Sequence, residues 1–150
     1  MVTIRPACAV DLDSLVELLT TLFSIEADFP CNEPLQRRGL ELMLANRNGC
    51  LLVAEREGRV IGMVSGQLTV STAEGGPALL VEDMVVSAEH RGQGAGRLLL
   101  EAIAAWARQH KASRLQLLAD RNNGSALEFY RHLGWQTTEL ICLRRHEAGE

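Results

Sequence analysis

The sequence predicts an α/β protein: a central mixed β-sheet with helices on both faces. Three observations point there. Strand-length apolar runs bounded by turn residues alternate with stretches whose apolar residues recur at helical spacing. A strand, helix and strand follow one another between residues 79 and 118, which implies a parallel pair joined by a crossover. Two further apolar runs around Glu57-Gly58 read as an antiparallel hairpin, so the sheet is mixed. A chain of 150 residues, 47% hydrophobic, suits one domain over 1–150 with a buried core.

The elements follow in order. "VTIRPA" is a first strand, with Pro6 near its end. "DLDSLVELLTTLFS" sets Leu12, Leu15, Leu19, Leu22 and Phe23 at helical spacing behind acids that suit a helix start. "FPCNEPLQRRGLELMLANRNG" reads as a second helix, with Asn32 as its cap and Gly49 as its stop. The hairpin "CLLVAEREGRVIGMVSGQLTV" comes next, then the loop "STAEGGPA". "LLVEDMVV" at 79–86 is an apolar strand carrying two acids. From Gly94 to Lys111, Ala95, Leu98, Leu99, Ala102, Ile103, Trp106 and His110 share one helical face. "SRLQLLA" is a strand, "NGSALEFYRHLG" a helix ending at Gly134, and "WQTTELICL" a final strand. The expected order is β-α-α-β-β-β-α-β-α-β.

Composition narrows the function. The net charge of −4 sits in residues 1–75, with 6 basic and 10 acidic side chains; residues 76–150 carry 9 of each. There is no basic stripe, which argues against a nucleic-acid partner. No run of about 18 apolar residues is present for a membrane span. The start "MVTIRPACAVD" lacks a signal-peptide layout. Cys8, Cys31, Cys50 and Cys142 are scattered without a C-x-x-C pair, so neither a disulfide framework nor a metal site is expected. Cytoplasmic location follows as the expectation.

The densest local signal is "HRGQGAGRLLL" at 90–100. Its glycines lie between a strand and the start of the clearest helix. Helix N-terminal N–H groups lack partners within the helix, and the dipole makes that end partly positive. The first turn, Gly94 to Arg97, contains no Asp or Glu to satisfy them, so an external anion such as a phosphate fits. A tight connection needing glycine for geometry alone fits equally. The pattern is neither G-x-G-x-x-G, since Arg97 stands where the third glycine belongs, nor a P-loop, since Gly-Lys-Ser/Thr is absent. What stands here is R-x-x-G-x-G, from Arg91 to Gly96.

"VEDMVVSAEHRGQGAGRLLL" followed by "NNGSALEFYRHLGW" resembles the Gcn5-related N-acetyltransferase (GNAT) superfamily, whose element order fits nearly the whole chain. R-x-x-G-x-G matches that family's coenzyme A pyrophosphate loop. N-x-x-A-x-x-F-Y-x-x-x-G-W, Asn123 to Trp135, matches its second signature, with Trp135 where Phe is commoner. The resemblance implies an acyl-CoA N-acyltransferase domain using acetyl-CoA and no metal. It assigns cofactor contacts to Arg91, Gly92, Gln93, Gly94, Ala95, Gly96 and Arg97, to Asn123, Ala126 and Phe129, and to the strand backbone at Met84, Val85 and Val86.

Acetyl transfer to an amine needs a base, because free alkylamines are protonated at neutral pH, and an acid for the departing thiolate. The strand offers Glu82 and Asp83. Regular alternation sends neighbours to opposite faces, so one of them enters a given cleft. On that pattern Glu82 lies with Leu80, Met84 and Val86, and Asp83 with Val81 and Val85. Periodicity does not choose between them. Resemblance to polyamine acetyltransferases favours Glu82 as base, leaving Asp83 a substrate contact. Tyr130, the one tyrosine, shares a helical face with Ala126, Phe129 and Leu133 and reads from spacing as a core aromatic; the family match makes it the catalytic acid. Asn123 is equally a plain helix cap.

The acceptor pocket implied by the family draws on the connection between the first two helices, with Glu26, Asp28 and Glu33, and on a later loop with Glu74. These acids suit a cationic amine such as a polyamine or aminoglycoside, and equally a solvated surface. The expected activity is direct transfer from acetyl-CoA to the primary amine of a small molecule in a ternary complex. The alternatives are a peptide N-terminal or lysine acceptor, and a non-catalytic acyl-CoA-binding regulatory module. A homodimer is implied by resemblance alone.

Overall fold

The computed structural model describes residues 1–26 and 29–147, in two compact units, 1–117 and 118–150. The first unit runs β1 (Thr3–Pro6), α1 (Leu12–Ile25), α2 (Glu33–Ala45), β2 (Gly49–Arg56), β3 (Arg59–Ser71), β4 (Gly76–Val86), α3 (Ala95–Gln109) and β5 (Leu115–Leu117). Its sheet has the spatial order β1-β2-β3-β4-β5, antiparallel throughout except for the parallel β4–β5 pair. The mixed sheet expected from the sequence is therefore present.

Local chemistry sets the boundaries. Asn32 caps α2, its side chain accepting from the Leu35 N–H at 3.2 Å. The Gln36 carbonyl oxygen Oε1 in turn accepts from the Asn32 N–H at 2.9 Å. Gln36, itself buried, donates to the Val16 carbonyl and ties α2 to α1. The β2–β3 turn is Glu57-Gly58, both residues at positive φ, as a tight hairpin between twisted strands requires.

One sheet face packs on α1 and α2: Leu15, Val16, Leu18, Leu19 and Leu40 close over Leu51, Val53, Met63 and Val85. The other face packs on α3. There β3 carries Gly62 and Gly66, and a Cβ on Gly66 would sit 2.9 Å from both Ile103 Cδ1 and Leu79 Cδ2. The two glycines are thus the room into which Leu99 and Ile103 descend. Both side chains are fully buried, each stabilising the fold by roughly 1.5–3 kcal/mol. This packing fixes the axis of α3, and hence where its N-terminus emerges beside the end of β4.

The register departs from simple alternation at one place that matters. Met63 pairs with Val85 and Ser65 with Glu82, so Val64 alone faces both Asp83 and Met84. Asp83 takes the left-handed conformation, φ 52°, which Asp tolerates better than most residues. The bulge reverses the face of every residue beyond it. Val85 lies opposite Met63 on the α1/α2 face with Glu82, and Val86 lies opposite Gly62 on the α3 face with Val81. This corrects the regular-alternation assignment, which grouped Val85 with Val81 and Val86 with Glu82.

The second unit holds α4 (Gly124–His132), capped by Asn123 through the Ala126 N–H at 3.2 Å and closed by Gly134 at φ 92°. The final strand expected over "WQTTELICL" is not formed. Leu140, Ile141 and Leu143 are 87, 71 and 87% exposed. That unit contains no described strand for the segment to pair with, and a strand is defined by its ladder. No helix among the described residues is long and apolar enough to cross a membrane.

Replacing Gly66 by Val is expected to lower stability by about 1–3 kcal/mol through overpacking against Ile103 and Leu79. Gly58→Ala meets no neighbour and is expected to cost only what its positive φ imposes, about 1 kcal/mol. Denaturant midpoints of the two variants check the difference.

Candidate active site

The bulge brings the two acids together. Ser65 is buried at 2% exposure, and its hydroxyl lies 3.1 Å from the Glu82 carbonyl oxygen and 3.3 Å from Asp83 Oδ2. Gln67, the next residue on the same face of β3, donates to Glu82 Oε1 at 3.5 Å. Both carboxylates therefore reach the Ser65–Gln67 side of the sheet. The expectation that only one could enter a given cleft assumed an unbroken strand. Ser65 and Gln67 were not singled out from the sequence; pairing the hairpin with "LLVEDMVV" was the signal that would have placed them opposite the acids.

Their electrostatics differ. Burial pushes the Asp83 carboxyl up, the neighbouring Glu82 charge pushes it further, and the Ser65 hydroxyl partly offsets both; the result is about 6. Glu82 is the more exposed of the two. A carboxylate held near 6 is ionised at neutral pH and is a stronger base than an ordinary one.

The edge of β4 facing β5 is paired only as far as Val81, opposite Leu117. Beyond that point, within this unit, Glu82 to Val86 have a strand partner on one side only. The Val85 side chain is buried in the α1/α2 core, and those of Met84 and Val86 are half-buried. The buried Val85 side chain leaves that residue its backbone alone for a ligand.

After β4 the chain makes one 3-10 turn, Ala88–His90, closed by the Ser87 hydroxyl against His90 Nδ1 at 2.8 Å. Arg91 Nε donates back to the Val86 carbonyl at 3.2 Å. Gly92 and Gly94 both take positive φ, 75° and 89°. Nothing lies within 4 Å of a Cβ built on either, so glycine is required there by backbone conformation and not by crowding. Gly94 is the N-cap of α3; no side chain caps it and no acid stands in the first turn. Ala95 is buried, while Arg97 is exposed and paired with Glu101 at 2.9 Å.

In the second unit Tyr130 is half-buried, its ring edge-on to Phe129 at 5.4 Å and to Trp135 at 5.9 Å. The Trp135 N–H donates to the Tyr130 carbonyl at 3.0 Å, which closes the end of α4. Ala126 is half-buried, and Asn123 is the cap described above.

The proposed acceptor acids do not all gather. Asp28 lies outside the described residues. Glu33 is in an ion pair with Arg37 at 3.8 Å. Glu74 accepts from Arg114 and Ser113 in the turn before β4, eight residues ahead of Glu82. A surface cavity of about 410 Å³ lies elsewhere, around Arg5, Asp11, Glu17 and Glu55. Its main charges are mutually paired, Arg5 to Asp11 at 2.8 Å and to Glu55 at 3.1 Å, and Arg5 holds the Asp11 carboxyl down at about 2. That network is structural.

Residues 12–135 match the model of the acetyltransferase (GNAT) family. The chain belongs to that family. It is 28% identical over 147 residues to an aminoglycoside N(6′)-acetyltransferase type 1 of Stenotrophomonas maltophilia, covering 95% of this chain and 92% of that protein. It is 30% identical to N-acetyltransferase family 8 member 2 of Rattus norvegicus over 62% of this chain and 41% of that protein. It spans about two fifths of the length of several such curated relatives. Its fold matches, at TM-score 0.80 and 20% identity over 96% of each chain, a predicted acetyltransferase with acetyl-CoA from Clostridium acetobutylicum. In this GNAT domain the glycine loop and the bulged strand occupy the two ends of one short path, Glu82 to Gly96.

Asp83→Asn is expected to raise stability at pH 8 by about 1–2 kcal/mol. The folded-state value of Asp83 lies above its unfolded one, so the ionised form opposes folding above about pH 6. That cost fades as pH falls from about 6 through about 4, and is gone by about pH 3, below both the folded and the unfolded value. Thermal melts of the variant and the parent at pH 8 and at about pH 3 should therefore differ at the first and converge at the second.

Proposed function

We propose that this domain transfers the acetyl group of acetyl-CoA to a primary amine of a small molecule, directly and within a ternary complex. The observation that carries the reading is the carboxylate pair on one face of the bulged β4, a strand that leads straight into an uncapped helix N-terminus. The pair attracts an ammonium group and accepts its proton; the helix N-terminus with its two left-handed glycines suits a pyrophosphate. Likeness to an aminoglycoside acetyltransferase over nearly its full length supports a small cationic acceptor.

In this mechanism the ammonium gives one proton to the Glu82/Asp83 pair. Glu82, the more exposed, meets the incoming cation, and Asp83, half-buried beside it with a raised affinity for protons, takes the proton on. The free amine attacks the thioester carbonyl, forming the C–N bond, and a backbone N–H of Met84–Val86 serves as oxyanion donor. Collapse breaks the C–S bond, and the Tyr130 hydroxyl protonates the departing thiolate. The phenolate then recovers the surplus proton of the amide nitrogen. Backbone groups of Met84–Val86 hold the pantetheine arm as an added strand would. Arg91 to Arg97 hold the pyrophosphate, and Asn123, Ala126 and Phe129 flank the arm.

Thiol release from acetyl-CoA, followed across polyamines, aminoglycosides, amino acids and short peptides, tests this. Turnover is expected with one class of small amine. Tyr130→Phe and Glu82→Gln are each expected to lower kcat roughly 10²-fold or more while acetyl-CoA still binds. The acid limb of kcat/KM is expected near pH 6, shifting downwards in Glu82→Gln as the neighbouring charge is removed. Turnover confined to peptides would move the acceptor class, and tight acetyl-CoA binding without release to any acceptor would favour a sensing module.

A further inference from the structure

Resting on that reading of the glycine loop, we propose that Arg56, at the end of β2, is a positioning residue of the acetyl-CoA site, acting through Gln93. Alternation along β2 puts Arg56 on the α3 face with Leu52 and Ala54. Antiparallel pairing brings the tip of the β2–β3 hairpin to the end of the sheet where β4 gives way to the loop: Gly62 pairs with Val86, and the Ser87 N–H donates to the Ile61 carbonyl at 2.8 Å. From that tip the Arg56 guanidinium donates to Gln93 Oε1.

Gln93 is the residue between the two left-handed glycines, and Gly92, Gln93 and Gly94 are all exposed. Such a loop has many backbone states in the absence of an anchor. Among the described residues the Gln93 side chain has one hydrogen-bond partner, Arg56, and Arg56 makes no ion pair with a carboxylate. The backbone of Arg56 is in turn fixed by pairing with Arg59 across the two-residue turn. On the other side, the bond from Arg91 to the Val86 carbonyl anchors the loop's beginning. The loop is therefore held at two points, one from its own strand and one from a different hairpin. Arg56 holds Gln93 so that the N–H groups following Gly92 and Gly94 stay aligned for an anion before it arrives.

A binding cycle tests this without an acceptor. Dissociation constants for acetyl-CoA are measured by calorimetry for the parent, Arg56→Ala, Gln93→Ala and the double variant. S-acetylpantetheine, which lacks the pyrophosphate, is titrated by NMR against the same four proteins. Each single variant is expected to weaken acetyl-CoA about tenfold, and the double variant no more than either. S-acetylpantetheine is expected to bind all four alike. Losses that add in the double variant would overturn the proposal by showing that Arg56 meets the phosphates directly. An equal loss for S-acetylpantetheine would overturn it as general damage, and unchanged acetyl-CoA binding in Arg56→Ala would overturn it outright. A parent protein that binds acetyl-CoA no more tightly than S-acetylpantetheine would instead refute the glycine-loop reading on which the proposal stands.

Discussion

The bulge in β4 is the constraint on which the rest of the first unit depends. A strand of eleven residues with unbroken alternation would send Glu82 and Asp83 to opposite faces and put Val85 under α3. Asp83 in the left-handed conformation removes one step of that alternation. As a result Val85 joins the α1/α2 core, Val86 meets Gly62 beneath α3, and both carboxylates turn towards Ser65 and Gln67. The same residue thus sets the core packing on either side of it and the chemistry between. The price is a half-buried carboxylate that disfavours its own ionised form, whereas Asp11 in the same unit is stabilised as an anion by Arg5.

The two ends of this path are supported by different physics. At the bulge, side chains carry the proposed function, and their positions follow from strand register and from one buried hydroxyl. At the loop, backbone carries it. Two glycines take positive φ there, and α3 offers a dipole end with no acid in its first turn. That end is held in place by apolar contacts far from it, where Leu99 and Ile103 settle into the space left by Gly62 and Gly66. The glycines of β3 therefore bear on the proposed anion site as well as those of the loop.

Much of this was legible in the sequence because it depends on local rules. Asn32 as a cap, Glu57-Gly58 as a turn and Gly134 as a stop each follow from a few neighbouring residues. The α3 face was legible in Ala95, Leu99 and Ile103, whereas Leu98 and His110 are exposed and Leu100 and Ala107 are buried instead. The glycine-rich loop was legible as a stretch of unusual backbone, but of the two glycines its motif fixes, Gly94 takes positive φ and Gly96 does not; the loop's other left-handed glycine is Gly92. The bulge was not legible, because an Asp in a strand reads as an ordinary alternating position until its partner strand is known. Glu74 read as an acceptor acid and turned out to bind Arg114, 40 residues away in sequence. "WQTTELICL" has strand composition, but composition supplies no partner, and that segment has none in its own unit. Arg56 carried no local signal at all, since its meaning comes from a hairpin folding back over a loop.

Carbon-detected NMR titration of the Glu82 and Asp83 side-chain carboxyls, in the parent and in Glu82→Gln, tests the central claim most directly. If the bulge sets both acids on one half-buried face, Asp83 titrates near pH 6 and moves to lower pH when the Glu82 charge is removed. An Asp83 that titrates in the ordinary carboxylate range, near pH 4, and does not respond to Glu82→Gln would contradict it.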